Sequence, residues 1–195
     1  MSHLFLDEAK IHILLESAKE NLRDYALLHM AASTALRGSD LLRITLEDMV
    51  DRNGEIIRLL RLKMKKTAQW IERPLRDDCR QAVYTWINSR RDKNPYLFIC
   101  LGNEGKKRRT PLSRMGYDKI IKKYLSMQYH ESVLQGCSTH TLRRSVAKLV
   151  YKKTGEIAAA QSLLGHSSPI NTIKYIDPSE IREKANKVVL EDLKW

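Results

Sequence analysis

Thr139-His140-Thr141-Leu142-Arg143-Arg144-Ser145 reads as the opening of a helix over 139–153. Residues three apart share a helix face, so His140 and Arg143 can point at one target. Leu142, Val146, Leu149 and Val150 then fall toward the core. A surface His beside a surface Arg would leave the same local pattern, so the meaning of the pair depends on what accompanies it.

Working outward, helical periodicity continues on both sides. Gly155 separates this helix from another over 156–164, and Ser168-Pro169 opens a further one, because proline suits a first helical turn. Residues 179–193 form a last amphipathic helix, with Ile181, Ala185, Val188, Val189 and Leu193 on its apolar face. Toward the N-terminus, Leu6, Ile11, Leu14 and Leu15 mark a first helix, with Asp7 and Glu8 favourably placed in its first turn. Residues 21–36 make a more apolar, central helix that stops near Gly38, and Ser39-Asp40 can cap a short helix after it. The pattern then changes. Residues 44–50, the Asp51-Arg52-Asn53-Gly54 turn and residues 55–64 read as a β-hairpin, since Asn-Gly supplies the positive-φ positions of a tight turn. Residues 67–75 alternate as a third strand ending at Pro74. Helices resume over 77–91 and 113–129, around a short extended stretch at 97–101 and a basic loop at 102–111. The reading is a mainly α (α+β) fold with a small three-stranded antiparallel sheet. No repeat and no Pro/Gly/Ser linker divides the chain.

Composition narrows the function. The 195 residues are 43% hydrophobic, enough for a core, and the net charge is +12. Most of that excess lies between Glu104 and Lys153, where thirteen basic residues face three acidic ones. A field of one sign attracts a polyanion, so nucleic acid as a partner and a charged surface kept for solubility explain the charge equally well. A membrane surface is disfavoured, because no basic amphipathic helix is joined to a lipid or aromatic anchor. The longest mostly apolar run, 25–36, is too short to span a bilayer. Asp7 and Glu8 follow Met1 too closely for a signal peptide. Cys79, Cys100 and Cys137 are odd in number and widely spaced, which fits a reduced cytoplasmic protein without disulfides or a zinc site.

Four further stretches join the first. Arg37 ends an apolar helix in Thr34-Ala35-Leu36-Arg37-Gly38-Ser39-Asp40, where a guanidinium is costly to bury unless an anion meets it; a salt bridge to Asp40 is the plainer reading. Lys63-Met64-Lys65-Lys66-Thr67 occupies the turn between two strands, from which a lysine can reach into a groove or simply decorate the surface. In Leu163-Leu164-Gly165-His166-Ser167-Ser168 a glycine ends a helix and a histidine follows it. Tyr175 comes nine residues after His166, with Ile173 and Ile176 better placed to enter the core.

In this order and spacing, Arg, Lys, His-x-x-Arg, Leu-Gly-His and Tyr resemble the catalytic domain of tyrosine recombinases, the phage integrase family. The resemblance covers residues 5 to about 190. Lys66 falls eight residues before Pro74-Leu75, as the family's lysine precedes its strand end. The stretch 139–145 looks like that of short integrases that consist of little besides this domain. The resemblance implies a catalytic domain over 1–178 and, over 179–195, a tail that docks in cis or is exchanged between subunits. It implies a site-specific DNA recombinase or integrase of a phage or mobile element, which cuts and rejoins strands through a 3′-phosphotyrosine without a metal or other cofactor. Carried over, Tyr175 is the nucleophile, Arg37 and Arg143 clamp the non-bridging oxygens, and Lys66 protonates the leaving 5′-oxygen. His140 handles a proton near the nucleophile, and His166 hydrogen-bonds the phosphate. Lys63, Lys65, Lys106, Lys107, Arg108, Arg109, Arg114 and Arg144 are the expected DNA contacts, and Lys63 and Lys65 stand close enough to Lys66 that the choice of acid stays open. The implied partner is double-stranded DNA, gripped by a homotetramer that can be monomeric in solution, with accessory DNA-binding proteins in reserve. The sequence departs from the family in Asp40, where many members have Glu, in Arg144, where many have His, and in Met1 standing directly before the first catalytic-domain helix. Two other readings remain: a catalytically silent DNA-binding module or regulatory factor, and a type IB topoisomerase.

Overall fold

A computed structural model of the protein describes residues 4–101, 110–176 and 181. The described residues form nine helices and one two-stranded sheet. Helix α1 (Glu8–Ser17) starts where the Asp7 carboxylate accepts the Lys10 N–H. Helix α2 (Leu22–Thr34) starts where the Asn21 side chain accepts the Asp24 N–H. Both caps satisfy a donor that a helix end leaves unpaired. Helix α2 is the hydrophobic axis: Ala26, Leu27, Leu28, Met30 and Ala31 are all buried, and it packs against α4 (Asp77–Ser89) and contacts α1. It ends at Ala35, which adopts a left-handed conformation with φ 49°. A single turn, α3 (Gly38–Leu41), follows.

The sheet consists of β1 (Leu59–Lys63) and β2 (Trp70–Pro74), antiparallel, with Leu59 opposite Pro74 and Lys63 opposite Trp70. Helices α5 (Arg114–Leu125), α6 (Glu131–Leu134), α7 (His140–Thr154), α8 (Ile157–Leu164) and α9 (Ile170–Ile173) complete the described elements. Ser113 caps α5 by accepting the Gly116 N–H. Most buried apolar side chains belong to one cluster. A smaller one of Tyr151, Ala160 and Ile176 holds α7, α8 and the segment after α9 together.

Three expectations are corrected. The sheet has two strands among the described residues, because residues 44–50 do not pair along their length. The Asp48 carboxylate accepts from both the backbone N–H and the hydroxyl of Thr45. The Met49 and Val50 N–H groups turn back to Leu46 O. These local bonds compete with a ladder and win. The Asp51–Gly54 turn is present, with Gly54 at φ +81°, but only an isolated bridge between Val50 and Ile56 follows it, while Thr45 bridges Tyr96. Next, Arg37 is the residue that precedes the first turn of α3, and Asp40 lies inside that helix. Finally, Leu142 is buried on α7 as expected, but Val146, Leu149 and Val150 are only half-buried. They line a cleft of about 610 Å³ shared with α1 and α2.

Candidate active site

Arg143 is the hub. It is 2% exposed, and its guanidinium reaches two helix ends at once. Nη1 donates to Ala35 O at the end of α2, and Nη2 donates to Leu164 O at the end of α8, 2.6 Å away. Both helices finish in a left-handed residue, Ala35 at φ 49° and Gly165 at φ 58°, which turns the chain away and leaves the terminal carbonyls free to meet the cation. Carbonyl ends of helices carry partial negative charge, so they suit a buried guanidinium. Nη2 also lies 3.4 Å from Nε2 of His166, and Tyr175 stands near enough to act electrostatically on the same guanidinium. Burial and the neighbouring Arg37 push the Arg143 pKa down to about 10, while Tyr175 and Asp40 pull the other way; Arg143 therefore stays charged at neutral pH.

His166 is held in orientation by Thr172, whose hydroxyl is 3.0 Å from Nδ1. Its ring centroid is 5.7 Å from that of Tyr175. Burial first, then the charges of Arg143, Arg37 and Lys66, push its pKa down to about 4. His140 is lowered as well, by burial and then by Arg143, Arg114, Arg144 and Arg37. Both imidazoles are thus neutral at pH 7 in a pocket ringed by cations. Tyr175 is half-buried, and Ile176 beside it enters the smaller apolar cluster, so the phenol stays at the surface of the pocket as its neighbour anchors the chain.

The β1–β2 hairpin carries Lys66 at its tip, with Lys63 and Lys65 nearby, all three exposed. Three contacts tie it to the pocket. Asp40 Oδ1 accepts the Lys65 N–H at 2.8 Å. Met64 Sδ lies 3.5 Å from Nη1 of Arg37. From β2, Arg73 Nη2 donates to Leu163 O at 2.5 Å and to Ser162 O at 3.2 Å. Met64 also packs under the Leu-Gly-His turn: a Cβ on Gly165 would come within 2.8 Å of its Cε. The expected ion pair between Arg37 and Asp40 does not form, because Asp40 serves the hairpin backbone instead.

The fold thus brings Arg37, His140, Arg143, His166 and Tyr175 to one place, beside a hairpin tipped by Lys66 whose charge reaches His166. Arg114, exposed at the start of α5, and Arg144, half-buried on α7, lie close enough to His140 to act on its protonation. Lys106, Lys107, Arg108 and Arg109 lie outside the described residues, as does the tail apart from Ile181. Sequence reading missed Met64, Arg73, Thr172 and the carbonyls of Ala35 and Leu164. Arg73 left one signal: it alternates in β2 with Ile71, on the half-buried face. Among the described residues no three His, Cys, Asp or Glu side chains gather as metal ligands, and no helix is long and apolar enough to cross a membrane.

A helical domain that sets two arginines, two histidines and a tyrosine around one pocket has the composition of a site for an anionic ester, with cationic charge, imidazoles and a phenol close together. Residues 5–182 match the phage integrase family, and the chain belongs to it. It is 28% identical over 180 residues to the probable integrase/recombinase YoeC of Bacillus subtilis, covering 92% of this chain and 89% of that one. It is 31% identical over 173 residues to the tyrosine recombinase XerC of Actinobacillus pleuropneumoniae, covering 87% of this chain and 53% of XerC. The chain therefore spans nearly all of YoeC but about half of that XerC. Among solved structures, the XerA recombinase superposes with a TM-score of 0.73 at 22% identity, over 100% of this chain and 66% of XerA. The XerH recombinase bound to a palindromic difH substrate gives 0.71 at 20% identity, over 96% of this chain and 53% of XerH. These superpositions establish the mostly helical fold with its small antiparallel sheet.

Proposed function

We propose that this protein cuts and rejoins double-stranded DNA through a 3′-phosphotyrosine, as a site-specific recombinase or integrase of a phage or mobile element. The observation that carries the reading is the buried guanidinium of Arg143, which stands 3.4 Å from His166 while the His166 and Tyr175 rings lie 5.7 Å apart. In the step proposed, Tyr175 Oη attacks phosphorus and the bond to the 5′-oxygen breaks. The phenolic proton passes to neutral His140, and Lys66 gives a proton to the leaving oxygen. Arg37 and Arg143 clamp the non-bridging oxygens, where charge accumulates in the transition state, and His166 hydrogen-bonds one of them. The tyrosyl ester conserves the energy of the broken bond, so a second hydroxyl can reverse the attack and join a new strand. The cationic side chains supply the charge stabilisation, and no metal is required. Lys63, Lys65, Arg114 and Arg144, with Lys106–Arg109, contact the backbone on either side. The relatives' complexes support DNA as the partner: XerH is described on difH, and the Tn1549 transposon integrase on circular-intermediate DNA. Four copies on two duplexes, with the 179–195 tail docked in cis or exchanged between neighbours, complete the assembly proposed.

The test is a nicked suicide duplex carrying the site, incubated with the protein in EDTA. A denaturant-resistant protein–DNA adduct that Tyr175→Phe abolishes supports the reading. Binding without an adduct on a verified site points to a silent module. Relaxation of any supercoiled plasmid without a site points to a topoisomerase.

A further inference from the structure

A second cleft, of about 530 Å³, lies between β2 and α8. It adjoins the site already described, because His166 lines both. Its strand wall includes Gln69 and Trp70, its helix wall Gln161 and Ser162, and Ser167 closes the end beyond His166. Trp70 is 71% exposed. An indole left in water forgoes a large apolar burial, and such residues concentrate where another molecule covers them. The charged side chains along the cleft are already engaged. The Glu72 carboxylate pairs with Arg61 at 2.7 Å, and Arg73 gives Nη2 to Leu163 O and Ser162 O and Nη1 to Glu72 O. What remains is one aromatic face with amides and hydroxyls around it. That chemistry suits a planar heterocycle with donors and acceptors on its edge, and suits a phosphate poorly.

We infer that this cleft is a nucleobase subsite, which takes the base of the nucleotide that leaves with the 5′-oxygen and stacks it on Trp70. The inference rests on the proposed strand-cutting activity and adds a residue and a pocket to it. The side of the phosphate follows from the hairpin. Lys66, the proposed donor to the leaving oxygen, and Trp70 stand four residues apart on it, whereas Tyr175 attacks from the segment after α9. Strand exchange requires the leaving strand to unpair, and a base drawn from the duplex loses its stacking neighbours. Trp70 replaces them, since aromatic stacking serves any base. The subsite also reports to the phosphate site: Gln161 Nε2 donates to His166 O at 3.0 Å, so an occupant beside Gln161 bears on the residue that holds the phosphate.

The experiment crosses Trp70→Ala and Trp70→Phe with suicide duplexes that carry a base, or an abasic residue, at the leaving nucleotide or at the nucleotide on its other side. On the intact duplex we expect adduct formation by Trp70→Ala to fall about tenfold, the size of one base–aromatic contact, with Trp70→Phe close to wild type. With the leaving nucleotide abasic, wild type and Trp70→Ala should react at the same rate; with the other nucleotide abasic, the tenfold gap should persist. Equal rates on the intact duplex overturn the subsite, and so does a gap that survives at the abasic leaving position, since Trp70 would then act on backbone or on another protein surface. The proposed activity is read separately, from the wild-type adduct. If that is missing, 2-aminopurine at the leaving position still decides the subsite: fluorescence that differs between wild-type and Trp70→Ala complexes upholds it, and identical fluorescence overturns it.

Discussion

The backbone N–H of Lys65 donates to Oδ1 of Asp40 at 2.8 Å. A carboxylate on α3, one helical turn from Arg37, thereby fixes the tip of a hairpin that begins and ends far away in sequence. Asp40 is fully buried, and its second oxygen has no hydrogen-bond partner among the described residues. A buried charge with one bond is costly, and it is tolerated here in a pocket whose other charges are cationic.

Asp40→Ala should therefore free the hairpin. The Lys65 N–H loses its acceptor, at a cost of about 1–3 kcal/mol, and Lys66 loses its fixed position. Adduct formation on a suicide duplex should fall by more than duplex affinity does, because the phosphate contacts are made by other residues. Asp40→Asn keeps an acceptor and should fall between Ala and wild type. Unchanged cleavage and unchanged thermal unfolding in Asp40→Ala would remove the hairpin role.

Arg143 welds α2 and α8 as well as facing the phosphate site. Arg143→Lys keeps a charge but cannot serve Ala35 O and Leu164 O together, since a single ammonium lacks the planar fork. Leaving one buried carbonyl unpaired costs about 1–3 kcal/mol. Chemical denaturation of Arg143→Lys should show a loss of that order alongside abolished cleavage. Wild-type stability in this variant would mean that the two carbonyls find other partners.

How far the sequence foretold this arrangement can be judged residue by residue. The helices were legible because their caps and periodicity are local: Asp7, Asn21 and Ser113 each bond a backbone N–H three residues on. The positions of Arg37, His140, Arg143, His166 and Tyr175 were legible only through their order along the chain, and the structure brings them together. The strand expected over 44–50 was misread because Thr45 and Asp48 bond each other and the nearby backbone, which an alternating apolar pattern does not reveal. Asp40 was set against the wrong partner, since proximity in sequence favoured Arg37 and only the folded hairpin offers Lys65. Arg73 was invisible for the same reason, as its acceptors lie about ninety residues away.

Gly165 carries two constraints that can be separated. Its φ of +58° disfavours any side chain, and a Cβ would meet Met64 Cε at 2.8 Å. Gly165→Ala should lose about 1–2 kcal/mol from the left-handed conformation alone, read by thermal unfolding. The flexible Met64 can move aside, but then its sulfur leaves Arg37, so cleavage should fall further than stability explains. Gly165→Ala combined with Met64→Ala removes the clash and keeps the backbone strain. Met64→Ala alone takes the sulfur from Arg37 without the backbone strain; wild-type cleavage in that variant would mean that the Met64 contact with Arg37 is idle.

His166 gives the pH dependence its sign. Its pKa is about 4 in the folded protein against 6.5 ordinarily, so between those values the unfolded chain binds the proton and the folded one does not. Stability should therefore be at its full value above pH 6.5, fall as pH drops toward 4, and level off below. His140, lowered by burial and the same arginines, acts in the same direction. A bound phosphate reverses the electrostatics. Its negative charge offsets Arg143, Arg37 and Lys66, so the His166 pKa should rise when a duplex binds, and binding should take up protons near pH 5–6. NMR titration of the His166 Cε1–H in the free protein and in the Tyr175→Phe complex measures both values. A free value at or above 6.5, or no rise on binding, would rule out a neutral imidazole waiting for the scissile phosphate, and His166→Asn should flatten the acid limb of the stability curve.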